Sequence, residues 1–405
     1  MAEISRRSFL TASAAGALNV GAVLPPGPKA DWKPVRLETP VPLEALHTPA
    51  LIVDMDQLDA NLRTMADFLK ARNVGLRPHT KTHKCPHLAH KQMDLGAVGV
   101  CAAKTSEAEA MANAGIDRVL ITSPVATKEK IVRIVDLAKR CDGLQIVIDH
   151  PANAADFDAA AAAADVTLGV LIDLDPGMGR TGIAMGEPAL ALARHIAGLK
   201  HLRLDGIQCY AGNVMHIGDF EQRRARSAAI LGRARDTKAL IEADGIELGV
   251  FSVGGTGTYD IDSAIEGVTD LQCGSYLVMD VQYGIVGAPN GRLADAFPPS
   301  MFVWSTAISQ PVSGQITIDA GLKAIYRDSP YSELRDITGV TYSYGGDEHG
   351  ILRLDNPSRP IALGGKLAIT VAHCDPTINL YDAFHAYRDG TVEEVWPITA
   401  RGMSQ

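Results

Sequence analysis

From residue 75 to residue 279 the sequence alternates between short β-branched runs and amphipathic stretches, a rhythm that few folds accommodate. Runs apolar enough to be buried on both faces occupy 75–79, 97–102, 118–122, 144–149, 166–174, 202–210, 248–253 and 270–279. Stretches with helical periodicity lie between them at 106–114, 128–140, 152–164, 187–197 and 220–243. Strands buried on both faces and joined through helices belong to a parallel sheet. Eight such units predict an α/β fold, a closed (β/α)8 TIM barrel. A doubly wound open sheet is the alternative, because periodicity does not separate the two. A further strand at 50–54 precedes a helix over 56–71 with Leu58, Leu62, Met65, Phe68 and Leu69 on one face.

The texture changes near residue 294. Short alternating strands at 302–309, 315–319, 339–343, 366–371 and 391–397, punctuated by Gly, Pro and Asp, predict a C-terminal all-β domain. The 405 residues therefore divide into a barrel over 48–294 and a β domain over 295–405, joined by the strand region 40–55. Residues 1–31 read as an address. Ser5-Arg6-Arg7-Ser8-Phe9-Leu10 leads into a mildly apolar run over 11–24 and then Pro25-Pro26-Gly27-Pro28, the layout of a twin-arginine signal, with Ala30 one candidate cleavage site. This predicts a periplasmic protein; a cytoplasmic one with a frayed basic terminus is the alternative.

A net charge of −9 argues against nucleic acid as a partner. No apolar run reaches the roughly 20 residues that span a bilayer. The six cysteines include no Cys-x-x-Cys pair and read as small buried hydrophobes.

Barrel enzymes carry their chemistry at the C-terminal ends of the strands. The first strand ends in Arg77-Pro78-His79-Thr80-Lys81-Thr82-His83-Lys84. A lysine at a barrel mouth is poorly hydrated and sheds its proton easily, as a covalent amine catalyst must. A solvated basic loop is the bland alternative. After the seventh strand, Ser252-Val253-Gly254-Gly255-Thr256-Gly257-Thr258 offers bare amides and hydroxyls to a phosphate, and Gly274-Ser275-Tyr276 could close the same cup. Asp175-Pro176-Gly177-Met178-Gly179-Arg180 ends the fifth strand, and Tyr210 and His216 follow the sixth. Late in the β domain, His373-Cys374-Asp375, if extended, puts an imidazole and a carboxylate on one side, a donor pair suited to Mn²⁺ or a similar hard divalent ion.

This combination resembles the fold-type III (alanine racemase-like) pyridoxal-phosphate enzymes, and within them the D-threonine aldolase and D-serine dehydratase branch. The resemblance runs from about His47 to the end of the chain. It rests on His47-Thr48-Pro49-Ala50, the lysine octamer, Gly177-Met178-Gly179-Arg180-Thr181-Gly182, the glycine cup, Asp347-Glu348-His349-Gly350 and His373-Cys374-Asp375-Pro376-Thr377. It implies that Lys81 is the Schiff-base lysine and Arg180 the partner of the pyridine nitrogen. Tyr210, Ser252, Gly254, Gly255, Thr256, Gly274 and Ser275 would hold the cofactor and its phosphate. His216 would serve as catalytic base, and His373 with Asp375 would hold the metal, with Mn²⁺ favoured and Zn²⁺, Mg²⁺ and Co²⁺ as alternatives.

The implied activity is retro-aldol cleavage of a D-β-hydroxy-α-amino acid of the D-threonine type to glycine and an aldehyde, a lyase reaction. The dehydratases of the branch typically carry a cysteine two residues after the metal histidine, where this sequence has Asp375. Elimination from D-serine or hydroxyaspartate is the runner-up, and a non-enzymatic pyridoxal-phosphate carrier is a remote third. The lysine segment and C-terminal domain lack the tyrosine pattern of a racemase. The resemblance also implies a homodimer whose sites are shared, with Asp347 and His349 reaching toward the neighbour.

Overall fold

The computed structural model describes residues 31–405, so the twin-arginine-type segment lies outside the described residues. The strands Gly75–Leu76, Val100–Ala102, Val119–Ile121, Gln145–Ile148, Leu168–Asp173, Leu202–Cys209, Val250–Val253 and Asp270–Leu271 pair in parallel, and the eighth returns to the first through Asp270 opposite Gly75. Between the first and second strands the ring is closed by a bridge from His79 to Cys101. There the Cys101 amide donates to the Pro78 carbonyl, and the Thr80 amide to the Cys101 carbonyl, each at 2.8 Å. The sheet is a closed barrel, and the open-sheet alternative falls away.

Alternation along each strand sorts side chains inward and outward. Val100, Ala102, Val119 and Ile121 join the main core beneath the helices, whereas Cys101, Leu120, Val147 and Leu171 form a small cluster of their own inside the ring. Full burial of each such aliphatic chain contributes about 1.5–3 kcal/mol. The other part of the interior is polar and internally satisfied. Arg77 pairs with Asp270 at 3.2 Å, Gln208 donates to Asp173 at 2.8 Å, and Gln272 donates to Gln208 at 3.0 Å.

The β domain is built on a ten-stranded sheet that takes strands from both ends of the described chain. Ala50–Asp54 lies inside it, antiparallel to Met301–Val312 and parallel to Ala383–Arg388. Val35–Pro42 adds to its edge beside Thr391–Pro397. Asp54 then caps the helix Met55–Lys70 by accepting from the Gln57 amide at 3.2 Å, and that helix buries Leu58, Leu62, Met65 and Leu69. Residues 31–405 pack as one unit, so the boundary near 294 is a change of architecture rather than a break.

Strands that the sequence pattern does not announce, among them Glu333–Leu334, Gly350–Leu354 and Ala383–Arg388, complete the sheets. The extended reading of His373-Cys374-Asp375 is corrected: His373 caps a short helix, Cys374–Ile378, whose Thr377 hydroxyl bonds back to the His373 carbonyl at 2.8 Å. Pro376 at an early helical position, with φ already fixed, favours that turn over an extended run.

Candidate active site

The clasp that closes the barrel also positions the lysine. Lys81 follows directly on Thr80, whose amide and hydroxyl both donate to the Cys101 carbonyl at 2.8 Å. The half-buried Lys81 Nζ lies 2.7 Å from Asp375 Oδ2. Burial pulls the amine's pKa down, but the Asp375 carboxylate, seconded by Tyr210, outweighs it and holds the amine above its ordinary value. The expectation that poor hydration alone would free this proton is therefore corrected: a carboxylate from the other end of the chain keeps it on. The same pairing holds Asp375 well below the usual carboxylate range, against the upward push of burial.

The glycine cup abuts this segment. A Cβ on Gly274 would stand 2.4 Å from the Thr82 hydroxyl and 3.0 Å from the His79 carbonyl, so the backbone after the eighth strand touches the lysine segment only because it is bare. Gly254 has φ +72°, a left-handed conformation that suits glycine. The Thr256 hydroxyl accepts from the Tyr276 amide at 3.1 Å and so ties the seventh-strand loop to the eighth. Tyr210 packs at the same place, its ring edge 3.5 Å from where a Gly255 Cβ would be. Arg180 stands over the Tyr210 ring with 5.4 Å to the centroid. Ser252 is different: its hydroxyl donates to Asp270 at 2.5 Å, inside the barrel, rather than standing free in the cup. Ser275 opens the turn after the eighth strand, its carbonyl accepting from the Met279 amide at 2.7 Å.

A second group of residues gathers around Asp280. Fully buried, it accepts from the amides of Tyr283 and Cys374, each at 2.9 Å, and thereby fastens the His373–Asp375 turn to the last barrel loop. Burial raises the pKa of its carboxyl. The His216 ring lies against Tyr283, centroids 4.4 Å apart. Desolvation of the covered part of the ring lowers its pKa, and His373 adds to that effect. His373 directs Nδ1 at Asp328 Oδ2, 3.1 Å away. Tyr283, Asp280 and Asp328 were not singled out from the sequence. They come from loops without a motif, and only the fold shows that they meet His216 and His373.

His79 is the other participant without a signal of its own. Its Nε2 meets the Thr122 hydroxyl at 3.1 Å, and its buried Nδ1 has no partner. Burial, seconded by Lys81, drives its pKa far down, so the ring is neutral.

These residues fit a phosphorylated aldehyde: an amine on a rigid clasp, a bare-backbone cup against it and a buried ring nitrogen left to be satisfied. The fit to a metal is narrower. Among the described residues no group of three or more His, Cys, Asp or Glu side chains comes together. The turn at His373 removes the extended geometry that would set His373 and Asp375 on one side, and Asp375 Oδ2 is taken by Lys81, while a carboxylate on His373 Nδ1 is the arrangement that leaves Nε2 for a metal.

The chain matches the alanine racemase N-terminal domain family over residues 53–281 and the putative serine dehydratase domain over residues 300–387. It is 36% identical over 362 residues, 88% of this chain and 92% of the relative, to a 3-hydroxy-D-aspartate aldolase of Paracoccus denitrificans (strain Pd 1222). It is 36% identical over 366 residues, 90% of this chain and 95% of the relative, to a D-threonine aldolase of Arthrobacter sp.. The crystal structure of D-threonine aldolase from Filomicrobium marinum superimposes with a TM-score of 0.88 at 39% identity, covering 92% of this chain and 100% of that one.

Proposed function

The chain belongs to the alanine racemase-like family, in its D-threonine aldolase and D-serine dehydratase branch, and from that premise we propose that it is a lyase that cleaves D-β-hydroxy-α-amino acids to glycine and an aldehyde. The observation that carries this reading is the meeting of two halves: the lysine segment pressed on the glycine cup, and His216 near His373, two residues before the Asp375 that reaches Lys81.

Pyridoxal phosphate, implied by the family, supplies when bound an electron sink for the pair released as the Cα–Cβ bond breaks. Lys81 is the residue that would hold it covalently. The bare backbone of Gly254, Gly255 and Gly274, with the Thr256 amide, would take the phosphate, and Arg180, a permanent cation, would face the ring nitrogen. A divalent ion on His373 and Asp375, Mn²⁺ by preference for a mixed oxygen and nitrogen pair, would act as a Lewis acid toward the substrate's β-oxygen.

The remaining work falls to the chain's own groups. His216, kept neutral by its lowered pKa, accepts the β-hydroxyl proton as the Cα–Cβ pair moves to the Cα side and the aldehyde carbonyl forms. Asp328 orients His373, and Asp280 keeps the His373–Asp375 turn seated on the barrel. Tyr283, buried and with its pKa pushed up by desolvation, stays a neutral phenol beneath His216. Cα takes up one proton to complete glycine, and this balances the one His216 took from the β-hydroxyl, so the cleavage is proton-neutral overall.

Elimination to a keto acid and ammonia is the second reading, supported by the match of residues 300–387 to a serine dehydratase domain. The two separate on products. Purified protein with pyridoxal phosphate and Mn²⁺ should convert D-threonine to acetaldehyde and glycine, and excess chelator should stop turnover while the cofactor stays bound. Ammonia and a keto acid would overturn the aldolase reading, and full activity in chelator would remove the metal. Twin-arginine export and a shared-site homodimer remain part of the proposal; a solution mass of one chain would count against the dimer, and retention in the cytosol against export.

A further inference from the structure

Beneath the glycine cup lies a carboxyl group that the proposed mechanism does not use. Asp262 is fully buried at the end of the short helix Tyr259–Asp262, directly after the cup. Its Oδ1 accepts from the Ser227 hydroxyl at 2.5 Å, on the helix Phe220–Ala243, and its Oδ2 meets the Thr258 hydroxyl. A Cβ built on Gly254 would stand 2.9 Å from Oδ2, so the carboxyl presses on the cup's backbone from behind. The Thr258 hydroxyl also lies 3.6 Å from Met215 Sδ. It can turn its own proton to the sulfur when the acid supplies one in return.

Arg223, the cation whose charge reaches this group, is not in contact with it and only partly offsets its burial. Among the described residues Asp262 forms no ion pair. The nearby Arg223 spends its guanidinium on the carbonyls of Ile217 and Gly287. The other titratable groups facing Asp262 add nothing positive: Asp260, whose two buried carboxyl oxygens have no partner, and the thiols Cys209 and Cys273. Burial pushes the Asp262 acid up to about 7, although the Ser227 and Thr258 hydroxyls and, more weakly, the Arg223 charge pull the other way.

Resting on the reading that the cup takes the cofactor's phosphate, we propose that Asp262 is a positioning residue that braces the cup in its uncharged, protonated form, so that phosphate binding is coupled to this one proton. A carboxylate there would oppose the dianion through a thin wall of backbone. The neutral acid ties Thr258 and Ser227 together without that repulsion. The sign follows from linkage. Below the acid's pKa the proton is already in place and phosphate binds at full strength. Above it, binding must first take up a proton, and affinity falls by up to about tenfold per pH unit.

The test is cofactor binding, read by absorbance and by borohydride trapping on Lys81, with pyridoxal 5′-phosphate and with unphosphorylated pyridoxal from pH 6 to pH 9. The ratio of the two affinities cancels the titration of Lys81 and of the aldehyde. In the wild type the advantage of the phosphorylated form should shrink above neutrality, where the phosphate is already a dianion and its own titration cannot cause the loss. In Asp262→Asn, a neutral isostere, that alkaline loss should vanish. A ratio with the same pH profile in both proteins would overturn the proposal. Should Asp262→Asn fail to fold, the wild-type ratio still decides, since an advantage that does not shrink above pH 7 also overturns it. A wild type that traps neither compound on Lys81 refutes instead the cofactor assignment beneath it.

Discussion

Lys81 and Asp375 are 294 positions apart in the chain and meet at 2.7 Å, and much of the site's electrostatics follows from that contact. Lys81 was legible in the sequence because a lysine just past a barrel strand, after a proline, is an unusual placement. Its charge state was not, because the ion that fixes it belongs to another domain. Ser252 teaches the same lesson from the other side: its place in a glycine-rich motif suggested phosphate, while the barrel interior claims its hydroxyl through Asp270. His216 carries a prediction at this scale. With its pKa lowered, the neutral base persists into mild acid, so the acid limb of the kcat profile for D-threonine should fall below about pH 6.5, the ordinary imidazole value. His216→Asn should lower kcat by about 10²–10⁴-fold while leaving cofactor absorbance intact. Unchanged turnover in that variant would assign the base elsewhere.

At the scale of elements, the eight barrel strands were readable because burial on both faces leaves an unmistakable apolar run bounded by helical periods. The turn at His373 was misread as extended, since five residues are too few for a helical period to declare itself. Gly350–Leu354 and Ala383–Arg388 are interrupted by charged or polar residues on their partly exposed faces, and their pairing partners decide them. Contacts between loops leave no periodic trace at all. The touch of Gly274 on Thr82 is one, and it can be tested by crowding it. Gly274→Ala should weaken pyridoxal-phosphate affinity by about 1–3 kcal/mol through overpacking, and adding Thr82→Ala should return part of the loss. Full additivity of the two changes would show that the segments do not press on each other.

For the molecule as a whole, the sheet that accepts Ala50–Asp54 makes barrel and β domain a single cooperative object. Arg335 reaches the Asp54 carboxylate at 3.3 Å, and the Asn61 amide donates to the carbonyls of Leu277 at 3.1 Å and Pro298 at 2.9 Å. Thermal unfolding should therefore show one transition. In Trp32→Phe, which removes the tryptophan that stacks on His90 of a barrel helix, Trp304 and Trp396 report the β domain by fluorescence, and the barrel helices dominate far-ultraviolet circular dichroism. The two signals should share a midpoint, and separated midpoints would show that the domains melt independently.

The placement of Ala50–Asp54 also sets an order of events during synthesis. This strand leaves the ribosome before any barrel strand, yet both of its neighbours, Met301–Val312 and Ala383–Arg388, are made after the last of them. For most of translation it waits with both edges open, and the barrel grows behind it with its lysine still unpaired from Asp375. Only when the final hundred or so residues arrive can the first strand find its place, so the nascent chain reaches a finished site all at once and late.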